Sequence, residues 1–253
     1  MIEYGLWNPT GNRTILVESP VEEQAQPALA AQLMAAEPTA EQTGFVTCRE
    51  DAVFLRMAGG EFCGNAALSA AACWCLRHGM AVGESTVVPV LCAGNTLFAA
   101  VSCTGENAFS CTIEMPRPRE ITAVTLEGRS YPLVWFDGIS HLICETPMER
   151  AAAEAVIRPW CRQLGADGLG LLFWDREKEA MTPLVYVPGC DTLFWESSCA
   201  SGTAAIGAYA ARQAGGPVRM KLRLPGGTLG IQATPAGDLR LSGTTVLEKQ
   251  CSF

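Results

Sequence analysis

Short segments of β-branched and aromatic residues, each bounded by Gly, Pro or Asn, recur along most of this chain. They predict strands at 14–17, 44–47, 53–57, 86–91, 97–102, 108–115, 133–135, 141–144, 170–174, 182–187, 219–224, 228–234 and 239–242. Four segments carry a helical period instead. Residues 27–36 read as a modest surface helix, and 151–164 as a helix with Trp160 and Leu164 four apart on one face. Residues 65–78 and 202–214 are Ala-rich and apolar nearly all round, which predicts helices enclosed by a sheet or barrel. Gly79 and Gly215 stand where each of these two helices must end.

The two enclosed helices open on similar wording. EFCGNAALSAAA (61–72) and ESSCASGTAAIGA (196–208) each set a cysteine in a turn of small residues just before the helix. Cys63 and Cys199 are 136 positions apart (199 − 63) in a chain of 253 residues. That spacing predicts a duplicated architecture with one buried helix per half. The break falls at the Pro-rich stretch Pro116-Arg117-Pro118, giving halves 1–117 and 118–253, with the last residues free to return to the first half.

Composition narrows the class. Hydrophobic residues make up 49% and charged residues 17%, as in a globular protein with a large core. A net charge of −8 without a basic stripe argues against nucleic acid as a partner, since phosphates are neutralised by clustered Lys and Arg. The first residues do not have the form of a signal peptide, and no apolar window is long enough to span a membrane, so a cytoplasmic protein is expected. Twelve cysteines without regular spacing, in a long chain, read as reduced thiols, most of them small buried hydrophobes. Cys73-Trp74-Cys75 has the wrong spacing for zinc and there are only two histidines, so no metal is expected.

A cysteine at a helix N-terminus faces unpaired backbone N–H groups and the positive end of the helix dipole, which favour its thiolate. Gly64 and the Ala200-Ser201-Gly202 run would let a carboxylate approach those amides. Two such thiols on either side of one ligand could remove a proton from one face of a carbon and deliver another to the opposite face. This is a stereoinversion that requires no cofactor.

At these residues the sequence resembles the diaminopimelate epimerase-like superfamily of cofactor-independent amino acid racemases and epimerases. Gly11-Asn12-Arg13-Thr14 followed by Ile-Leu-Val is similar to the amino-terminal strand of that superfamily, and Glu41-Gln42-Thr43-Gly44-Phe45 to the entry of a second strand. Gly59-Gly60-Glu61-Phe62-Cys63-Gly64-Asn65-Ala66 resembles the first catalytic loop, and Glu196 to Thr203 the second. The resemblance implies an α/β (α+β) fold of two pseudo-symmetric halves, each a barrel-like, mostly antiparallel sheet around a central helix, with the active site between them. It implies Cys63 and Cys199 as the acid/base pair. It also implies a substrate shell of Asn12, Gln42 and Asn65 with the backbone at Gly64, Ala200 and Ser201. Gly202 and Glu196 are added as substrate-binding candidates.

The wording departs from diaminopimelate epimerase itself. The loop Cys190-Asp191-Thr192-Leu193-Phe194-Trp195-Glu196 has no Arg after the Glu, and Ile139 stands where that epimerase has an Asn before its histidine. A second zwitterionic end would be left unpaired, at a cost of about several kcal/mol. The phrases NPTGN, EQTGF, GGEFCGNA and WESSCASGT resemble those of superfamily members that racemise histidine, so histidine or a similar monocarboxylic amino acid is the expected small-molecule partner, and a homodimer is allowed. Asp191 rivals Glu196 for the substrate ammonium, Glu61 leans to a structural role, and Arg13 is open between surface and site. His141 reads as a core histidine and His78 as a helix-end residue. Two other functions stay open. One is a proton-shift isomerase of an unsaturated polycarboxylic acid, which few nearby Arg or Lys would support. The other is a thiol-redox or binding protein in which Cys63 and Cys199 pair reversibly.

Overall fold

The computed structural model describes residues 1–253, the side chain of Cys190 excepted, and divides into two units: 1–114 with 242–253, and 115–241. Cys190, one of the twelve expected thiols, therefore lies outside the described side chains.

The first unit contains strands β1 (Glu3–Pro9) and β2 (Thr14–Val17), helix α1 (Gln26–Ala36), strands β3 (Gln42–Cys48) and β4 (Val53–Met57), and helix α2 (Gly64–Arg77). Strands β5 (Ser85–Cys92), β6 (Asn95–Gly105) and β7 (Ala108–Met115) follow. The second unit contains β8 (Glu120–Leu126), β9 (Arg129–Trp135), β10 (Ser140–Cys144), α3 (Arg150–Leu164), β11 (Leu169–Asp175), β12 (Ala180–Val187), β13 (Thr192–Trp195), α4 (Ala200–Ala214), β14 (Val218–Leu224) and β15 (Gly227–Ala233). The final strand, β16 (Leu239–Ser252), begins in the second unit and runs on into the first.

In the first unit the strand order is β1 to β7 and then β16, and β16 pairs back onto β1 from Glu3↔Ser252 to Pro9↔Thr245, which closes an eight-stranded barrel. The second unit orders its strands β8-β9-β10-β11-β12-β14-β15, with β13 beside β12.

Helices appear where strand direction demands them. Neighbouring parallel strands need a long crossover, whereas antiparallel ones need only a turn. The parallel pairs are β2–β3, β4–β5, β10–β11 and β12–β14. Their crossovers hold α1, α2, α3 and α4 in turn. The two cysteine-led helices are thus equivalent crossovers, one in each unit.

Both are enclosed, as their composition predicts. From Gly64 to Cys73 every residue of α2 is buried, and α4 is buried from Gly202 to Ala208. Small side chains are required because the sheet comes close: a Cβ on Gly207 would lie 2.5 Å from Ile231 Cγ1. Strand faces alternate accordingly, with Leu97, Ala99, Val101 and Cys103 of β6 pointing inward and Thr96, Phe98 and Ala100 outward. A buried bond of 2.8 Å between Ser69 Oγ and Thr245 Oγ ties α2 to the returning end of β16.

Against the sequence reading, the strand inventory differs most. β1, β8 and β13 are additional strands, and the last strand extends ten residues past 242. β1 carries Gly5 and Pro9 and is buried on both faces at 4–7, so it shows no two-residue alternation. α4 starts at Ala200, two residues before the predicted start, because the thiol of Cys199 caps it. No helix among the described residues is long and apolar enough to cross a membrane.

Candidate active site

Cys63 and Cys199 occupy the same local structure. Each is the N-cap of its helix in extended backbone, with φ −131° and ψ 113° at Cys63 and φ −127° and ψ 106° at Cys199. Each thiol accepts the backbone N–H three residues on, from Ala66 at 3.5 Å and from Gly202 at 3.4 Å. Sulfur takes the place of the usual Ser or Asp oxygen at this capping position. The remaining N–H groups of the first turn point the same way, toward any anion brought to the thiol.

In the first unit the loop from β4 to Cys63 turns at Gly60, whose φ of +79° an L side chain rarely adopts. The N–H of Cys63 donates to the thiol of Cys92 at the end of β5, which burial pushes up to about 11. Asn12, Glu41, Gln42 and Thr14 form one polar network. Asn12 Nδ2 donates to Glu41 Oε2 at 2.5 Å, and Gln42 Nε2 donates to Asn12 Oδ1 at 2.6 Å and to Thr14 Oγ1 at 2.8 Å. Asn12 is 4% exposed, so the network fixes its amide. The start of β3 is joined to the loop that leads to Cys63 by Ala58 N donating to Thr43 O at 3.0 Å. Asn65 is buried on the first turn of α2. Glu61 is exposed, and Arg13 is paired with Glu248 at 2.9 Å. Glu41 is a member that sequence reasoning passed over; its signal was adjacency to Gln42.

In the second unit the surroundings of Cys199 differ. Its thiol lies 3.6 Å from Ser201 Oγ, which in turn bonds His141 Nε2 at 3.0 Å. His141 has no exposed surface and its other nitrogen, Nδ1, is buried without a partner; Phe136 meets the ring edge-on and Gly170 gives it room. Burial lowers its pKa to about 3, so the ring is neutral at ordinary pH. It is a core histidine, as expected, but one in contact with the cysteine loop.

Cys199 corrects one expectation. The helix terminus should favour its thiolate, yet its pKa is raised well above the usual thiol range. Burial is the largest cause, and the charge of Glu196 and a hydrogen bond to it act in the same direction; the bonds from Ser201 and the Gly202 N–H oppose them without prevailing. Desolvation at a fully buried sulfur outweighs the helix-end field. Cys199 therefore rests as the neutral thiol.

Other candidates have partners of their own. Asp191 is exposed and held by Arg158 at 2.9 Å. Trp195 stacks on Phe173 and donates to Glu154, within the packing of the second unit. His78 caps α2, stacked on Trp74. A cleft of about 780 Å³ in the second unit is lined by residues such as Tyr131, Tyr209 and Arg212 and opens on the far end of α4, away from Cys199. No group of His, Cys, Asp and Glu suited to a metal occurs among the described residues.

Each unit thus carries an N-capped cysteine on an enclosed crossover helix, and the fold is one shared with solved epimerase structures. A structure titled a predicted epimerase from Pseudomonas aeruginosa superposes with a TM-score of 0.75 at 15% identity, covering 100% of this chain and 99% of that one. Residues 1–244 match the family description "Histidine racemase CntK N-terminal domain". The chain is 32% identical over 213 residues to a histidine racemase of Fusobacterium nucleatum, covering 80% of this chain and 78% of the relative. It is 28% identical over 227 residues to a histidine racemase of Staphylococcus aureus, covering 83% and 80%. The chain belongs to this family, and it is an isomerase, an amino acid racemase.

Proposed function

We propose that the protein inverts the α-carbon of histidine or a similar monocarboxylic amino acid without cofactor or metal, with Cys63 and Cys199 as its acid and base. The observation that carries this reading is the shared geometry of the two thiols, each an N-cap that accepts its helix's own N–H. The similarity to histidine racemases supports the substrate.

In one direction the thiolate of Cys63 takes the Cα proton and becomes a thiol, while the electron pair left on Cα spreads into the carboxylate. The thiol of Cys199 gives its proton to the opposite face of the carbon and becomes the thiolate. The enzyme ends with the two protonation states exchanged, and the reverse reaction restores them. The resting thiol form of Cys199 suits the donor role. Charge gathering on the carboxylate is met by the N–H groups of Gly64, Ala200 and Ser201, beside the Gly202 N–H that caps onto the Cys199 thiol. Asn12, Gln42 and Asn65 hold the substrate, and Glu196 both receives its ammonium and keeps Cys199 protonated.

The test is chiral chromatography of L-histidine incubated with protein dialysed against a chelator. D-histidine should form to equality, and Cys63→Ser and Cys199→Ser should each reduce the rate by about 10²–10⁴-fold, the scale on which loss of an acid/base group acts. Full racemisation surviving in either variant would refute the two-thiol reading.

A further inference from the structure

β3 ends at Cys48, α2 carries Cys73 in its third turn, and the two elements pack together in the first unit. Two separate contacts fix that neighbourhood. The thiols of Cys48 and Cys73 are in hydrogen-bond contact with each other. The residues that follow them are bonded as well, Trp74 Nε1 donating to Arg49 O at 2.7 Å. Cys73 is fully buried, whereas Cys48 is partly exposed and can meet a solute.

We propose that Cys48 and Cys73 are a modification site: on contact with a peroxide they form a reversible disulfide, separate from the chemistry of Cys63 and Cys199. Cys48 is the group oxidised first, since it alone of the two reaches solvent. Its thiolate takes one oxygen of hydrogen peroxide, the O–O bond breaks, and the sulfur becomes a sulfenic acid with release of hydroxide. Cys73 then attacks that sulfur, the S–O bond breaks, and the departing hydroxide takes up the Cys73 proton as water. In sum, two thiols and one peroxide give one disulfide and two waters.

The surroundings favour this order. The bond from Cys73 holds the Cys48 thiol below its usual range against the effect of burial, and the Arg77 guanidinium acts in the same direction while Glu18 opposes it. Arg77 is itself paired with Glu18 at 2.5 Å, so the Arg77 and Glu18 contributions largely offset, and the thiol contact is the main influence. The disulfide would tie α2, which begins just after Cys63, to β3, which begins at Gln42.

To test this, the full chain is treated with a small excess of hydrogen peroxide, remaining thiols are alkylated, and the digest is read by mass spectrometry. The expected product is a peptide pair linked through Cys48 and Cys73, lost on treatment with dithiothreitol and absent in Cys48→Ser. Cys48→Ser changes a partly exposed position, so the test does not depend on a core variant folding. Recovery of Cys73 fully alkylated, with Cys48 overoxidised or linked to another cysteine, would overturn the proposal. Racemase activity is not read, so the result is independent of the function proposed above.

Discussion

Acidification tests the buried histidine of the second unit. In the unfolded chain His141 should protonate near the ordinary value of 6.5, whereas in the fold its pKa is about 3. Between those values the unfolded state binds a proton that the native state does not, so stability rises with pH through this window and is lost as pH falls from 6.5 toward 3. From pH 7 to pH 5 the loss is RT ln of the ratio of the two binding polynomials, about 2 kcal/mol, and it would reach about 4 kcal/mol near pH 3. The assay is urea unfolding at pH 7 and pH 5, followed by tryptophan fluorescence. Four of the six tryptophans (135, 160, 174 and 195) lie in the second unit, so the signal reports mainly on the unit that holds His141. His141→Gln should be less stable than the parent at pH 7, because it disturbs the bond to Ser201, but should lose about 2 kcal/mol less on going to pH 5. Equal pH dependence in both proteins would show that His141 is not held neutral by burial.

Three further outcomes follow from the same contacts. Gly207→Ala should cost about 1–3 kcal/mol by pushing a methyl into Ile231 of β15, measured as a lower urea midpoint with an unchanged slope. Thr245→Val should cost about 1–3 kcal/mol by leaving the buried Ser69 hydroxyl unpaired, read in the same way from the first unit's transition by hydrogen exchange along α2. Ser201→Ala removes a bond that lowers the pKa of Cys199, so alkylation of that thiol should require higher pH than in the parent; an unchanged pH profile would count against the Ser201 contact.

Local pattern was enough for much of the fold. The enclosed helices were visible because only small apolar residues can fill a helix surrounded by sheet, and the cysteines were visible because both stand at helix starts. What sequence reasoning missed depends on distant partners. β1 and the end of β16 are stabilised by each other across the barrel closure, as Glu3↔Ser252 shows, and the polar wording of residues 248–252 gives no local sign of a strand. The thiol of Cys199 reversed the helix-end expectation because burial and Glu196, both tertiary facts, outweigh a local field. The link from His141 through Ser201 spans sixty residues and was equally invisible.

The most direct measurement is the isotope content of histidine recovered from heavy water. With L-histidine and the parent protein, deuterium should appear at Cα in the D-product from the first turnovers, because the group that reprotonates Cα has exchanged with solvent; Cys63→Ser and Cys199→Ser should not form that product. D-histidine that keeps its original Cα hydrogen, or deuterated D-histidine formed at the parent rate after either cysteine is replaced, would contradict a two-thiol proton transfer.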